Sequence, residues 1–271
     1  MPDQSLFQVV HPPGGARASF VEPPFPEAAF RAAGISGQFE VYYQPVFRLK
    51  DRSVAHYEAL VRMRGKAGRL IPPGEFIPVA EKRGLISALD RLVADIVLRD
   101  LRAHPEVSVY INLSGVSLGD DALRKHLMLA TEDPDIASRL GIELTETTVV
   151  KDTYQANAWI TVLRAQGCRF ALDDFGIGFN SLAYLRNLQF DQLKIDGSYV
   201  RAIVEDGKTR ALIAAIQALA GSLGLETVAE WVETVPIMEA VTELGLTYGQ
   251  GFLLGVPLPK FLGRNEKVIA A

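Results

Sequence analysis

The chain runs to 271 residues, 48% of them apolar and 22% charged, which is enough apolar material for a sizeable core. A formal net charge of −4 argues against a general nucleic-acid or membrane-surface binder, because both want a basic face. Cys168 is the only cysteine, so no intrachain disulfide is possible, and His11, His56, His104 and His126 lack the spacing of a histidine-built zinc site.

Residues 1–25 carry several prolines and two adjacent glycines and read as a flexible N-terminal tail. A short helix is expected over 26–34. The remainder, 26–271, reads as one domain. No run approaches the ~18 apolar residues of a membrane span, and the N-terminus lacks the basic stretch and apolar core of a signal peptide. The expectation is a cytoplasmic protein that engages neither DNA nor membrane.

Short apolar or β-branched runs recur at 39–44, 54–62, 107–112, 142–145, 169–173, 192–195, 226–230 and 248–252. Segments of helical period separate most of them. One places Leu85, Leu89, Leu92, Val93, Ile96 and Val97 on a single face. Another places Leu212, Ile216, Leu219 and Leu223 together, closed by Gly224 as a C-cap. Gly167 and Gly245 stand where helices should stop, and Thr234 with Pro236 suits a helix start. Strand–helix alternation implies a mostly parallel sheet, and this length fits a closed (β/α)₈ barrel of the TIM type. An open doubly wound sheet is the structural rival.

Polar residues fall near the C-terminal ends of these strands: Glu58, Asn112, Glu143, Asp173 with Asp174, Lys194, Glu230 and Gln250. Carboxylates are costly to bury unless paired, hydrogen-bonded or bound to metal. In a parallel barrel those strand ends meet at one rim, so residues far apart in sequence converge. Glu58, Leu60 and Arg62 share one strand face, as do Lys194 and Asp196. Asp173 and Asp174 cannot both point inward from a regular strand; Gly176 and Gly178 would let the chain bend so that both reach one centre. An all-oxygen ligand set suits Mg²⁺ or Mn²⁺, with Ca²⁺ as a non-productive, inhibitory substitute. Two such ions, roughly 3.5–4 Å apart, can share an aspartate and activate a water for in-line attack on phosphate.

The text around Glu58-Ala59-Leu60 resembles the EAL family, the phosphodiesterases of cyclic di-GMP. The matching segments are YYQPVF (42–47), EALVR (58–62), IPPGEFIPVAEKRGLI (71–86), NLS (112–114), ELTET (143–147), DDFGIGFNSL (173–182), LKID (193–196), VAEWVET (228–234) and QGFLLGVPLP (250–259). The resemblance implies a modified TIM barrel with one antiparallel strand and hydrolysis of cyclic di-GMP to linear pGpG. It implies that Glu58, Asn112, Glu143, Asp173, Asp174 and Glu230 bind two metal ions, Asp173 bridging. Lys194 would contact the nucleophilic water, with Glu230 a candidate base. Gln44 and Arg62 would touch substrate, and Gln250, grouped with them as substrate-binding, would support the site through water. Glu146 would anchor the loop 174–182, and Glu233 would support the site from behind. A homodimer is implied, and a separate regulatory partner is one of the inputs left open.

Ile177, Asn180, Gly197, Trp231 and Val256 differ from the family's usual residues, Trp231 replacing a glycine and Gly197 an arginine. A ring at 231 would narrow the pocket or move Glu230. Trp159 and Trp231 read as packing residues rather than base-stacking platforms, with contact between Trp231 and a guanine left open. Two rival functions remain: an EAL-like receptor, weak or inactive as an enzyme, and a two-carboxylate glycosidase. The complete ligand set argues against the first, and the absence of sugar-stacking aromatics at strand ends against the second.

Overall fold

Strand β1 (Gln38–Arg48) runs antiparallel to β2 (Val54–Arg64), with Gln44 directly opposite Glu58. From β2 onward the wall is parallel, through β4 (Val109–Asn112), β5 (Leu140–Thr145), β6 (Arg169–Phe175), β7 (Gln192–Ile195), β8 (Glu226–Ala229) and β9 (Tyr248–Gly249). β9 then pairs antiparallel with β1 and closes the sheet. The two-residue β3 (Leu70–Ile71) pairs with the end of β2. The result is the expected α/β TIM-like barrel with one reversed strand. This computed structural model describes residue 30 and residues 38–65, 68–176 and 181–262. The tail 1–25, most of the 26–34 helix, and Ile177, Gly178 and Asn180 lie outside the described residues.

Helices cover the wall: α1 (Pro73–Lys82), α2 (Ile86–Ala103), α3 (Asp121–Ala130), α4 (Pro134–Ala137), α5 (Glu146–Lys151), α6 (Thr153–Gln166), α7 (Ser181–Asn187), α8 (Gly197–Ala202), α9 (Gly207–Leu223) and α10 (Val235–Glu243). The stripe of α2 buries Leu89, Val93, Val97 and Leu101, all spaced to face the barrel. Each such burial stabilises by roughly 1.5–3 kcal/mol. Trp159 of α6 is completely buried, and its indole N–H donates to the Leu118 carbonyl at 3.0 Å, which makes it a packing residue. No helix among the described residues is long and apolar enough to cross a membrane.

Punctuation follows the sequence closely. Gly167 and Gly224 hold left-handed C-caps, and the Thr234 hydroxyl accepts from the Ile237 N–H at the start of α10. The face of α9 differs from expectation. Ile213 and Ala220 are buried, Ile216 and Leu219 half-buried, while Leu212 and Leu223 are exposed. A helix resting on α8 and β8 presents a stripe one residue round from the one read off its leucines.

One layer below the rim, His56, Tyr110 and Tyr248 fill the barrel, with His56 centred 4.4 Å from Tyr110 and 5.6 Å from Tyr248. Burial pushes the His56 imidazole down to about 3, so it is neutral throughout the physiological range. His56 therefore adds no charge beneath the polar layer.

Candidate metal centre

Lys194 points from β7 into the barrel and is 2% exposed. Its Nζ lies 2.5 Å from Glu143 Oε2, 3.0 Å from Glu230 Oε1, 3.2 Å from Asp173 Oδ1 and 3.6 Å from Glu58 Oε2. Those carboxylates come from β5, the segment after β8, β6 and β2. Acids separated by as many as 172 positions thus meet around one ammonium, as the common rim requires.

Amides fix the acids' orientation. Asn112 Nδ2 donates to Glu58 Oε1 at 2.7 Å, and Gln250 Nε2 donates to Glu58 Oε2 at 2.6 Å. Gln250 Nε2 also reaches Gln44 Oε1 at 3.1 Å, while Gln44 Nε2 donates to the Gly255 carbonyl. Gln44 is therefore buried and committed to the protein, rather than turned fully to a substrate. Gln250 Oε1 is buried without a hydrogen-bond partner.

Glu230 and Gln250 lie just past the ends of β8 and β9, yet the ladder continues through them. Glu230 N–H donates to Ile195 O, Gln250 N–H to Ala229 O, and Val232 N–H to Gln250 O. This crossing needs a residue without a side chain at 251, since a Cβ there would stand 2.3 Å from the Val232 backbone. Close backbone approach thereby holds Glu230 in place.

Ligand atoms of Asp173, Asp174 and Glu230 lie within 4.8 Å of one another. The adjacent aspartates converge because Asp174 itself adopts φ +57 and the β6–β7 register slips between Leu172 and Phe175. The bend therefore begins at Asp174, before the glycines expected to make it. Aspartate tolerates this left-handed conformation better than most residues with a Cβ. Its N–H donates to Asp173 Oδ1 at 2.9 Å.

Five carboxylates (Glu58, Glu143, Asp173, Asp174, Glu230) gather against one ammonium, a formal surplus of about −4 that two divalent cations would cancel. Burial pushes Glu143 well above the usual carboxylate range; Lys194 opposes this, but Glu58 and Asp173 repel the added charge. Burial, with repulsion from Asp173 and Glu58, takes Glu230 up to about 8. Burial and the neighbouring Asp173 also raise Asp174. Glu58 moves the other way: burial disfavours its charge, yet Lys194 and the amides of Gln250 and Asn112 outweigh it. Burial likewise works against the charge of Lys194, but Asp173, Glu143, Glu230 and Glu58 hold its pKa well above the ordinary lysine value. A metal ion entering such a site must displace the protons that its buried acids retain. Hard oxygen donors, the orphaned Gln250 oxygen and the surplus charge fit Mg²⁺ or Mn²⁺.

A cavity of about 230 Å³ opens beside these groups, lined by Gln44, Glu58, Leu60, Arg62, Glu230, Trp231, Glu233, Gln250, Gly251, Phe252 and Pro257. Arg62 faces it with its guanidinium 5.9 Å from the Tyr42 ring centre. Glu233 is an exposed wall residue. Glu146, buried, opens α5 immediately after β5 and Thr145, whose hydroxyl caps that helix. Most of the loop it was expected to anchor lies outside the described residues. Asp196 does not join the centre despite sharing a face with Lys194; it caps α8 by accepting from the Ser198 N–H at 2.8 Å. Trp231 leaves Glu230 within 3.0 Å of Lys194.

Asp90 of α2 escaped the sequence reading. It accepts from the Ser114 N–H at 2.9 Å and the Ser117 hydroxyl at 2.6 Å, pinning the segment that follows Asn112. Burial pushes its carboxyl up to about 6. The only sequence signal was an acid on the otherwise apolar stripe of α2.

The EAL domain family model matches residues 27–257. The chain is 35% identical over 225 residues to the cyclic di-GMP phosphodiesterase PdeB of Shewanella oneidensis, covering 81% of this chain and 26% of PdeB. It is 36% identical over 231 residues to the bifunctional diguanylate cyclase/cyclic di-GMP phosphodiesterase MucR of Pseudomonas aeruginosa, covering 82% of this chain and 33% of MucR. The solved structure of the PaMucR phosphodiesterase in its c-di-GMP complex matches with a TM-score of 0.77 at 34% identity, covering 86% of this chain and 95% of that one. The chain spans about a quarter to a third of the length of the curated relatives it matches.

Proposed function

Because the chain belongs to the EAL-domain family, we propose that it is a metal-dependent phosphodiesterase that hydrolyses cyclic di-GMP to linear pGpG. The observation that carries this reading is the convergence of four carboxylates on the buried Lys194, with Asp174 beside them. PdeB and MucR are named for this activity, and the matching PaMucR structure is a c-di-GMP complex.

Glu58, Asn112, Glu143, Asp173, Asp174 and Glu230 would hold two divalent ions. Bound divalent cations would supply charge neutralisation, polarise the phosphate and lower the pKa of a water. Asn112 and Gln250 keep both Glu58 oxygens aimed. Lys194, with its Nζ 3.0 Å from Glu230 and 3.2 Å from Asp173, is placed to donate to the attacking oxygen or to a phosphate oxygen. Glu230, with its Oε1 3.0 Å from Lys194, is the candidate base for the water's proton. Arg62 meets a phosphate oxygen from the cavity wall. The water's oxygen bonds to phosphorus, the P–O3′ bond of one ring linkage breaks, and the proton taken from the water passes to the departing 3′-oxygen, leaving a linear 5′-phosphorylated product.

A receptor that binds without cutting is the second reading. The intact oxygen set and the lysine support hydrolysis over it. The same proposal includes a homodimer in the cytoplasm, which sedimentation of the metal-loaded protein and cell fractionation would check. The test of the activity is incubation with cyclic di-GMP and Mg²⁺ or Mn²⁺, followed by chromatography. Linear product from the wild type and none from Glu58→Ala supports the proposal. Intact substrate bound by the metal-loaded wild type makes the chain a receptor.

A further inference from the structure

Trp231 combines features that packing does not explain. It adopts φ +56, a region that disfavours any residue with a Cβ and bulky ones most. The strain is not repaid by burial, because the residue stays 48% exposed. It follows Glu230 directly and lines the same cavity as Glu58 and Arg62. A large aromatic ring is thus held in an unfavourable backbone state, half in water, at the edge of the candidate metal centre.

Helix α8 supports that ring. A Cβ at Gly197 would lie 2.0 Å from Trp231 Cδ1, so the indole occupies space that any other residue at 197 would claim. The Arg201 guanidinium carbon stands 4.6 Å from the ring centre. Gly197 and Arg201 are four apart and share one side of α8. No ion pair among the described residues draws Arg201 elsewhere. One side of the indole therefore rests on α8 and its cation, while the rest remains open at the cavity. Phe252, 61% exposed, provides a second ring at the same wall.

We propose that Trp231, backed by Arg201 and admitted by Gly197, is a stacking subsite for one purine base of the dinucleotide. This rests on the reading of the cavity as a cyclic di-GMP site. An indole face is a platform for any planar base, and a cation behind it reinforces the contact. Its position beside Glu230 lets a stacked base place its own phosphate at the carboxylate cluster. The two unusual residues at 197 and 231 are thereby one structural change: the glycine makes room for the ring.

The chain has two tryptophans, and Trp159 is completely buried, so Trp231 is the exposed fluorophore. The experiment titrates the Ca²⁺-loaded protein with cyclic di-GMP, following both binding heat and tryptophan emission. Saturable binding with quenching is expected in the wild type. Trp231→Gly should abolish the quenching and weaken binding about 10-fold, with Trp231→Phe falling between, as loss of one base stack predicts. Glycine suits φ +56, and an unchanged thermal unfolding midpoint or a higher one would show that Trp231→Gly folds. Binding heat without quenching, together with an unchanged Kd for Trp231→Gly, overturns the subsite and leaves the phosphodiesterase reading standing. No binding heat in the wild type removes both.

Discussion

The Nζ of Lys194 lies 2.5 Å from Glu143 Oε2, and neither side chain exposes more than 2% of its surface. One ammonium at that depth cannot satisfy the surrounding acids by itself, so the centre is electrostatically incomplete without further positive charge. Removing Lys194 therefore has a metal-dependent cost. Lys194→Met should lose about 3 kcal/mol of stability in chelator at neutral pH, as expected for stripping one partner from a buried ionic cluster. With millimolar Mg²⁺ the loss should shrink. Denaturant unfolding with and without metal measures both, and an equal loss in the two conditions would remove Lys194 from the ionic cluster's account.

Metal affinity should depend on pH. Glu230 is pushed up to about 8, so below that pH the carboxyl is protonated and a cation must displace the proton. Mn²⁺ affinity should therefore fall as pH drops from about 9 to 6, approaching tenfold per unit for one displaced proton. Calorimetry in buffers of different ionisation enthalpy should detect proton release. An affinity flat across this range would contradict the proton-holding state of the acids.

His56 makes an opposite demand on the folded state. Its pKa is about 3 when folded, against about 6.5 unfolded, so the unfolded chain binds the extra proton between those values. Stability from this residue is complete above about 6.5 and is lost as pH falls toward 3. At pH 5 the loss is about 2 kcal/mol. Asp90, raised to about 6, runs the other way, gaining relative stability as pH falls through that value. The His56 effect is consequently read as a difference between wild type and His56→Asn in urea unfolding at pH 7.5 and 5. A wild-type curve whose acid dependence matches that of the variant would refute the buried neutral histidine.

Gly197 and Trp231 should be energetically coupled. Gly197→Ala places a Cβ 2.0 Å from the indole and should cost about 1–3 kcal/mol as an overpacked contact. In a Trp231→Gly background the same substitution should be close to neutral. A double-mutant cycle on thermal or urea stability gives the coupling directly. Additive single effects would show that the two positions do not share that space.

Much of this molecule was legible in its sequence because barrels announce themselves by alternation. All eight strand runs and the glycine caps stand where the pattern put them, with boundaries shifted by a few residues. The acids at strand ends were visible as polar residues where core was expected, and closure of the sheet brought Glu58, Glu143, Asp173 and Glu230 onto one lysine. What escaped was local and three-dimensional. Asp174 turns at its own φ, a choice glycine neighbours did not reveal. Asp90 supports the centre from a helix whose periodicity spoke only of packing. Trp231 read as a packing residue beside the pocket; only the contact with Gly197, the positive φ and the exposed face show a ring held half in water at the cavity edge.

Anomalous diffraction from crystals grown with Mn²⁺ and a non-hydrolysable cyclic di-GMP analogue tests the centre most directly. The account expects two peaks roughly 3.5–4 Å apart, with Asp173 between them and Glu58, Glu143 and Glu230 among the ligands. Density for manganese elsewhere, or a cluster that keeps only its lysine under saturating metal, would contradict it.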